Sequence, residues 1–137
     1  MARMMNVGNS GIAAYRNAAQ SAVRPERMVA MGFAGLSEYL KRADQAFSDG
    51  DVGARAAALD GAYRIVEHLW AALDPDSDAE AAGNLADLYW FLLDRLSRAN
   101  IFDSREVLAE CGPVVDNLRE AWDQVADDAD GRTRAAP

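Results

Sequence analysis

Cysteine, histidine and long apolar runs are scarce in this chain, and each scarcity excludes something. The 137 residues hold one cysteine, Cys111, and one histidine, His68. A single cysteine cannot form an internal disulfide, which fits a reducing compartment. A single histidine, with no Glu-x-x-His pair, cannot build the zinc or di-iron centres found in helical proteins. Ser-His-Asp and Cys-His devices need positioned partners that no motif here supplies. Gly50, Gly53 and Gly61 are scattered and form neither a Gly-x-Gly-x-x-Gly fingerprint nor a P-loop. No apolar run approaches ~18 residues, so no transmembrane helix is expected. The start, MARMMNVGNSGIAAYRN, has no continuous apolar core and does not read as a secretory signal. The expectation is a cytoplasmic protein that is no enzyme and uses no cofactor or metal.

Basic clusters are also missing. The formal net charge is −8. Residues 1–73 hold eight Lys/Arg and seven Asp/Glu, whereas residues 74–137 hold six Arg and fifteen Asp/Glu. Phosphate neutralisation supplies most non-specific affinity for nucleic acid, so an acidic chain of this kind excludes it as a partner. The acidic half reads first as a solubility device.

What is present is helical periodicity. A first helix is expected from about Pro25 to Phe47, with Val29, Phe33, Leu36, Leu40, Ala43 and Phe47 on one stripe. Proline suits a first helical position, and Ser48-Asp49-Gly50-Asp51 is a stop. A second helix is expected from about Val52 to Leu73, with Leu59, Tyr63, Val66 and Trp70 at steps of three and four. Ser77 with Glu80 reads as a capping box that opens a third helix ending near Asn100. Leu85, Leu88, Leu92, Leu96 and Ala99 form its stripe, while Tyr89, Trp90 and Leu93 lie off it. A helix with such spare apolar surface is central in a bundle or carries a groove for another chain. Asp103 with Glu106 reads as the cap of a fourth helix. Its period of Val107, Cys111, Val115, Leu118, Trp122 and Val125 passes through Pro113, which predicts one kinked helix.

Short connections between helices of about 22 residues, each about 33 Å long, force antiparallel neighbours. The expected fold class is all-α: an up-down-up-down four-helix bundle over 25–126. A mobile segment, 1–24, precedes it, and a disordered acidic tail, 127–137, follows it. The prefix carries Ile12 and Tyr15 on a helix too short to persist alone. It is expected to dock on the surplus apolar surface around Tyr89 and Trp90.

Several motifs then occur in a specific order. Tyr15 is followed by RPERMVAMGFAG (24–35), LDPDSDAEAAGNLADLYWFL (73–92), RLSRANIFDSREVL (95–108) and LREAW (118–122). In that order they resemble the flagellin export chaperones, the FliS family. Gly32 departs from the pattern where a larger apolar residue is usual, Arg24 replaces a small polar cap, and Pro113 is atypical.

The resemblance implies a bundle that binds the C-terminal segment of flagellin, prevents premature polymerisation and passes the client to the flagellar type III export apparatus. It implies a monomer or weak homodimer. The residues it nominates for the groove and its cap are Tyr15, Phe33, Leu85, Tyr89, Trp90, Leu93 and Asn100. Two rivals stand beside it. A histidine phosphotransfer domain would use His68, but needs a nearby lysine that the following LWAALD does not supply. A generic helical adaptor would use the acidic face to bind a basic protein.

Overall fold

A computed structural model describes residues 11–12, 23–74 and 78–135, with side chains through Arg132. The helices are α1 (Pro25–Asp49), α2 (Val52–Ala71), α3 (Ala79–Ile101), α4 (Arg105–Ala109) and α5 (Cys111–Ala135), with no strand among the described residues. The expected all-α class is therefore observed.

Local chemistry sets the helix ends. Arg24 precedes α1 without a side-chain cap, and Pro25 supplies the preset φ instead. Gly50 ends the helix at φ 68°, a conformation that costs glycine little. Its N–H meets the Phe47 carbonyl at 3.2 Å and the Asp51 N–H meets that of Ala46 at 2.9 Å. Those two bonds form a Schellman closure. Asp51 then caps α2 by accepting from the Ala54 N–H at 3.0 Å.

Of the two caps expected at the later helices, the one before α4 shifts by one residue. Asp78 accepts the Ala81 N–H at 3.2 Å, while Ser77 lies outside the described residues. Ser104, not Asp103, accepts the Val107 N–H at 3.2 Å. Asp103 takes the left-handed turn position instead, at φ 52°, and its carboxylate pairs with Arg55 of α2.

Ion pairs fix the direction of the helices. Arg55 near the start of α2 meets Asp103 beyond the end of α3. Arg27 near the start of α1 meets Asp127 at 2.7 Å and Asp130 at 2.8 Å near the end of α5. Both neighbour pairs are thus antiparallel. α1 packs along α2 and α5, α2 packs along α3, and α3 touches α5 only slightly. The core lies between them: Phe33, Leu36 and Tyr39 of α1, Ile65 and Val66 of α2, Leu92 and Leu96 of α3, and Cys111 and Val115 of α5. Burial of each large apolar side chain contributes roughly 1.5–3 kcal/mol.

The fourth helix differs from expectation at both ends. Val107 and Leu118 lie on separate helices, interrupted at Glu110. Pro113 has no N–H to reach the Ala109 carbonyl. The Glu110 N–H instead closes a tighter turn on Val107 at 3.1 Å. Glu110 keeps helical angles, φ −66° and ψ −24°, so the apolar period survives the break in part. Leu108, Cys111 and Val115 are buried, but Val125 is 41% exposed.

The segment expected to be a disordered tail continues α5 to Ala135. Ala126 and Ala129 are buried, and Arg27 holds Asp127 and Asp130. No large side chain anchors this stretch. Two alanines permit close helix approach, and the arginine on another helix completes the hold.

Candidate partner-binding face

α2 carries small residues toward α1 and aromatic ones toward α3. Gly61 lies under the Tyr39 ring, so close that a Cβ there would stand 2.5 Å from Tyr39 Cε1. Ile65 reaches toward Gly35 of α1, its Cδ1 3.2 Å from where a Cβ on that glycine would stand. At about 100° per residue, Tyr63 and Trp70 point almost opposite to Gly61 and Ile65. They therefore border the contact with α3, where both are half-buried.

α3 has a matching arrangement. Arg95 pairs with Glu110 at 2.6 Å and lies over the Phe91 ring at 5.0 Å, which directs that side toward α4 and α5. Trp90 and Leu93 lie on the other side, toward α2. Trp90 is 60% exposed and Leu93 is half-buried. The result is an aromatic strip along the α2–α3 face, formed by Tyr63, Trp70, Trp90 and Leu93.

The sequence-nominated residues divide by depth. Trp90 and Asn100 are exposed, and Leu85 and Leu93 are half-buried. Phe33 and Tyr89 are core: they are 0% and 2% exposed, with ring centroids 6.2 Å apart. Tyr89 lies within half a turn of Leu92 and Leu96, so it faces inward and Trp90 beside it faces out. Tyr15 lies outside the described residues. In the sequence Tyr63 and Trp70 stand only as members of a core stripe. Their spacing could not reveal which edge of that stripe meets α1 and which borders α3.

Of residues 1–22 only Gly11 and Ile12 are described, so the expected docking of the segment around Tyr15 lies outside the described residues. A Cβ at Gly11 would stand 3.1 Å from Tyr39 Cε2 and Gly11 lies against Gly35, while Ile12 is buried. Gly11 thus lies against the α1–α2 face, and Ile12 joins the buried core cluster. Glycines on both helices leave a slot there that a thin backbone can fill.

Nothing on the strip is arranged for bond chemistry. Among the described residues no group of His, Cys, Asp or Glu could hold a metal ion. Burial pushes the Cys111 thiol up to about 12, so it carries no thiolate at neutral pH. His68 is exposed on α2, and the one lysine, Lys41, pairs with Glu38 on α1. No described helix is long and apolar enough to cross a membrane. An exposed aromatic strip between two helices is suited to receive an apolar face of another chain.

Comparison with known proteins gives the family. The family model described as flagellar protein FliS matches residues 8–129. This chain belongs to the FliS family. It is 35% identical over 122 residues to the flagellar secretion chaperone FliS of Salmonella typhimurium, covering 85% of this chain and 90% of that one. The flagellar secretion chaperone FliS of Escherichia coli is 30% identical over 98 residues, 71% of this chain and 72% of its own. That of Vibrio cholerae is 28% identical over 105 residues, 77% of each. The match includes α5 as far as Ala129, so the alanines buried against the bundle lie within the family region.

Proposed function

We propose that this FliS-family chain is a cytoplasmic export chaperone without catalytic turnover. It binds the C-terminal segment of flagellin, keeps that segment from polymerising early and delivers it to the flagellar type III export apparatus. The observation that carries this reading is the exposed Trp90, bordered by Tyr63, Trp70 and Leu93 on a rigid two-helix face. An amphipathic client helix lays its apolar stripe along such a face, as in helix-in-groove recognition. Leu85 extends the same contact along α3 and Phe33 and Tyr89 support it from beneath, whereas Asn100 lies ten residues beyond Trp90 at the far end of α3, outside it.

Rigidity on one side and disorder on the other suit transient holding. The client spends roughly 2–5 kcal/mol of its contact energy on becoming ordered. That cost keeps it releasable. The chaperone itself changes little, because the strip stands on a packed core. Without client the chain is a monomer or weak homodimer.

Calorimetry with a synthetic C-terminal flagellin peptide from the same bacterium tests the proposal. Binding is expected, with a negative heat-capacity change from apolar burial and a shift of tryptophan emission. No binding at micromolar peptide overturns it.

A further inference from the structure

Three of the five large hydrophobic residues that stand exposed among the described residues gather at one end of the bundle. Val52 is 62% exposed, Ile101 73% and Phe102 66%. Val52 opens α2 and the other two close α3, about fifty positions apart in sequence. The Arg55–Asp103 ion pair joins the first turn of α2 to the turn that follows α3.

That turn is braced. Arg55 is only 11% exposed, pairs with Asp103 and stacks over the Phe47 ring at 5.2 Å. Asp103 is held in the left-handed conformation at φ 52°. The Ser104 N–H returns to the Ala99 carbonyl at 3.0 Å. Arg105 clips the start of α4 to Asp44 of α1 at 2.7 Å. The exposed side chains thus project from a preorganised corner, which loses little conformational entropy when a partner arrives.

The charge around the corner is one-sided. Arg55 and Arg105 are matched by Asp103 and Asp44. Asp49 bonds only to Gln45 and Asp51 caps α2. Among the described residues neither of these, nor Glu106 in the first turn of α4, has a cationic partner. The corner therefore joins apolar knobs to an anionic rim. A second copy would bring the same anionic rim against this one, which disfavours self-association here.

We propose that this corner, formed where α1 ends, α2 begins and α3 turns into α4, docks a second protein that presents an apolar side chain flanked by lysine or arginine. The site is separate from the aromatic strip. Ile101 lies eleven residues beyond Trp90 on α3, and Val52 eleven before Tyr63 on α2, about 16 Å along each axis. One chain can then engage this partner and an occupant of the strip together. The proposal assumes nothing about what occupies the strip.

A photo-crosslinker tests it. Phe102 is replaced by p-benzoylphenylalanine in the chain expressed in its own bacterium, with and without flagellin present. The expected adduct is one protein other than flagellin, joined through a segment where an apolar residue neighbours lysine or arginine. It forms in both strains and falls at least tenfold in the Asp49→Lys/Glu106→Lys variant, with helicity retained by circular dichroism. An adduct with flagellin or with a second copy, no adduct, or an adduct indifferent to the charge reversal overturns the proposal.

A second measurement guards against overlap with the strip. The folded Ile101→Ser/Phe102→Ser variant should bind the flagellin peptide within twofold of the parent. A tenfold loss would assign the corner to the client and overturn its independence. Failure of the parent to bind that peptide would remove the chaperone reading but leave the crosslinking result to decide this one.

Discussion

The two long faces of α2 make opposite use of the same helix. Toward α1 it presents Gly61, Ala58, Ala62 and Ile65, and Tyr39 packs there with 1% exposure beneath Gly11. Toward the outer edge of α3 it presents Tyr63 and Trp70, and Trp90 across the contact stays 60% exposed. Small residues let backbones close over one another and seal the first face. Large aromatic residues at the edge of the second keep surface available. A helix can therefore serve cohesion and recognition together, provided that residue size, not hydrophobicity alone, differs between its sides.

Gly61→Val should break the sealed face and produces the largest effect. The added carbons have no room beside a Tyr39 ring enclosed on both sides. Overpacking of this kind costs about 3 kcal/mol, and the midpoint of thermal unfolding should fall by about 10 °C. Circular dichroism melting checks it. An unchanged midpoint would mean that Tyr39 moves freely, and the contrast between the faces would lose its basis.

Trp90→Ala should separate the faces in the opposite sense. An exposed aromatic contributes little to folding, so stability should stay within about 0.5 kcal/mol. Affinity for the flagellin peptide should fall about tenfold, or about 1.4 kcal/mol. Parallel melting and calorimetry measure both. A large loss of stability with unchanged affinity would make Trp90 a packing residue.

Arg27→Ala extends the comparison to the α1–α5 side, which is sealed by charge at its end. Hydrogen bonds that Arg27 donates to Asp127 and Asp130 raise its pKa further above its ordinary value. Loss of the arginine should speed amide exchange in residues 126–132 and leave the central turns of α3 unaffected. Exchange read by mass spectrometry checks this. Added salt should reproduce part of the effect in the parent chain, because exposed pairs are screened.

The smallest effect is expected at the Asp44–Arg105 clip. The Arg105 guanidinium bonds to Asp44 and holds its carboxyl below the ordinary 3.8. A depressed carboxyl contributes stability above its unfolded pKa and loses it as pH falls through the lower folded value. Asp44→Asn should therefore flatten the acid limb of the stability curve below about pH 4 and change little at neutral pH. Denaturant titrations at several pH values would reveal this.

Much of the candidate site was legible in sequence as far as it depended on one helix. Trp90 falls off the Leu85–Leu92–Leu96 stripe, and that offset predicted its exposure. Tyr89 also falls off the strict stripe, yet it stands close enough to the inner side to reach Phe33 across the core. A fraction of a helical turn decides between core and surface, and residue spacing alone does not set where the neighbouring helices sit. Tyr63 and Trp70 were hidden for the same reason.

Sequence by itself determined the helices, their approximate ends, the bundle class and the family resemblance. Those depend on local propensity, caps and a 3.6-residue period, all of which are written within a few positions of the chain. Tertiary structure alone decided that Gly11 lies against the α1–α2 face, that the acidic tail extends α5, and that the start of α2 meets the turn after α3 through Arg55 and Asp103. Each of these depends on whether two distant segments can approach closely enough. Gly61 and Gly11 around Tyr39, Ala126 and Ala129 in α5, and the arginines 27 and 55 permit that approach, but their local surroundings do not specify the partner.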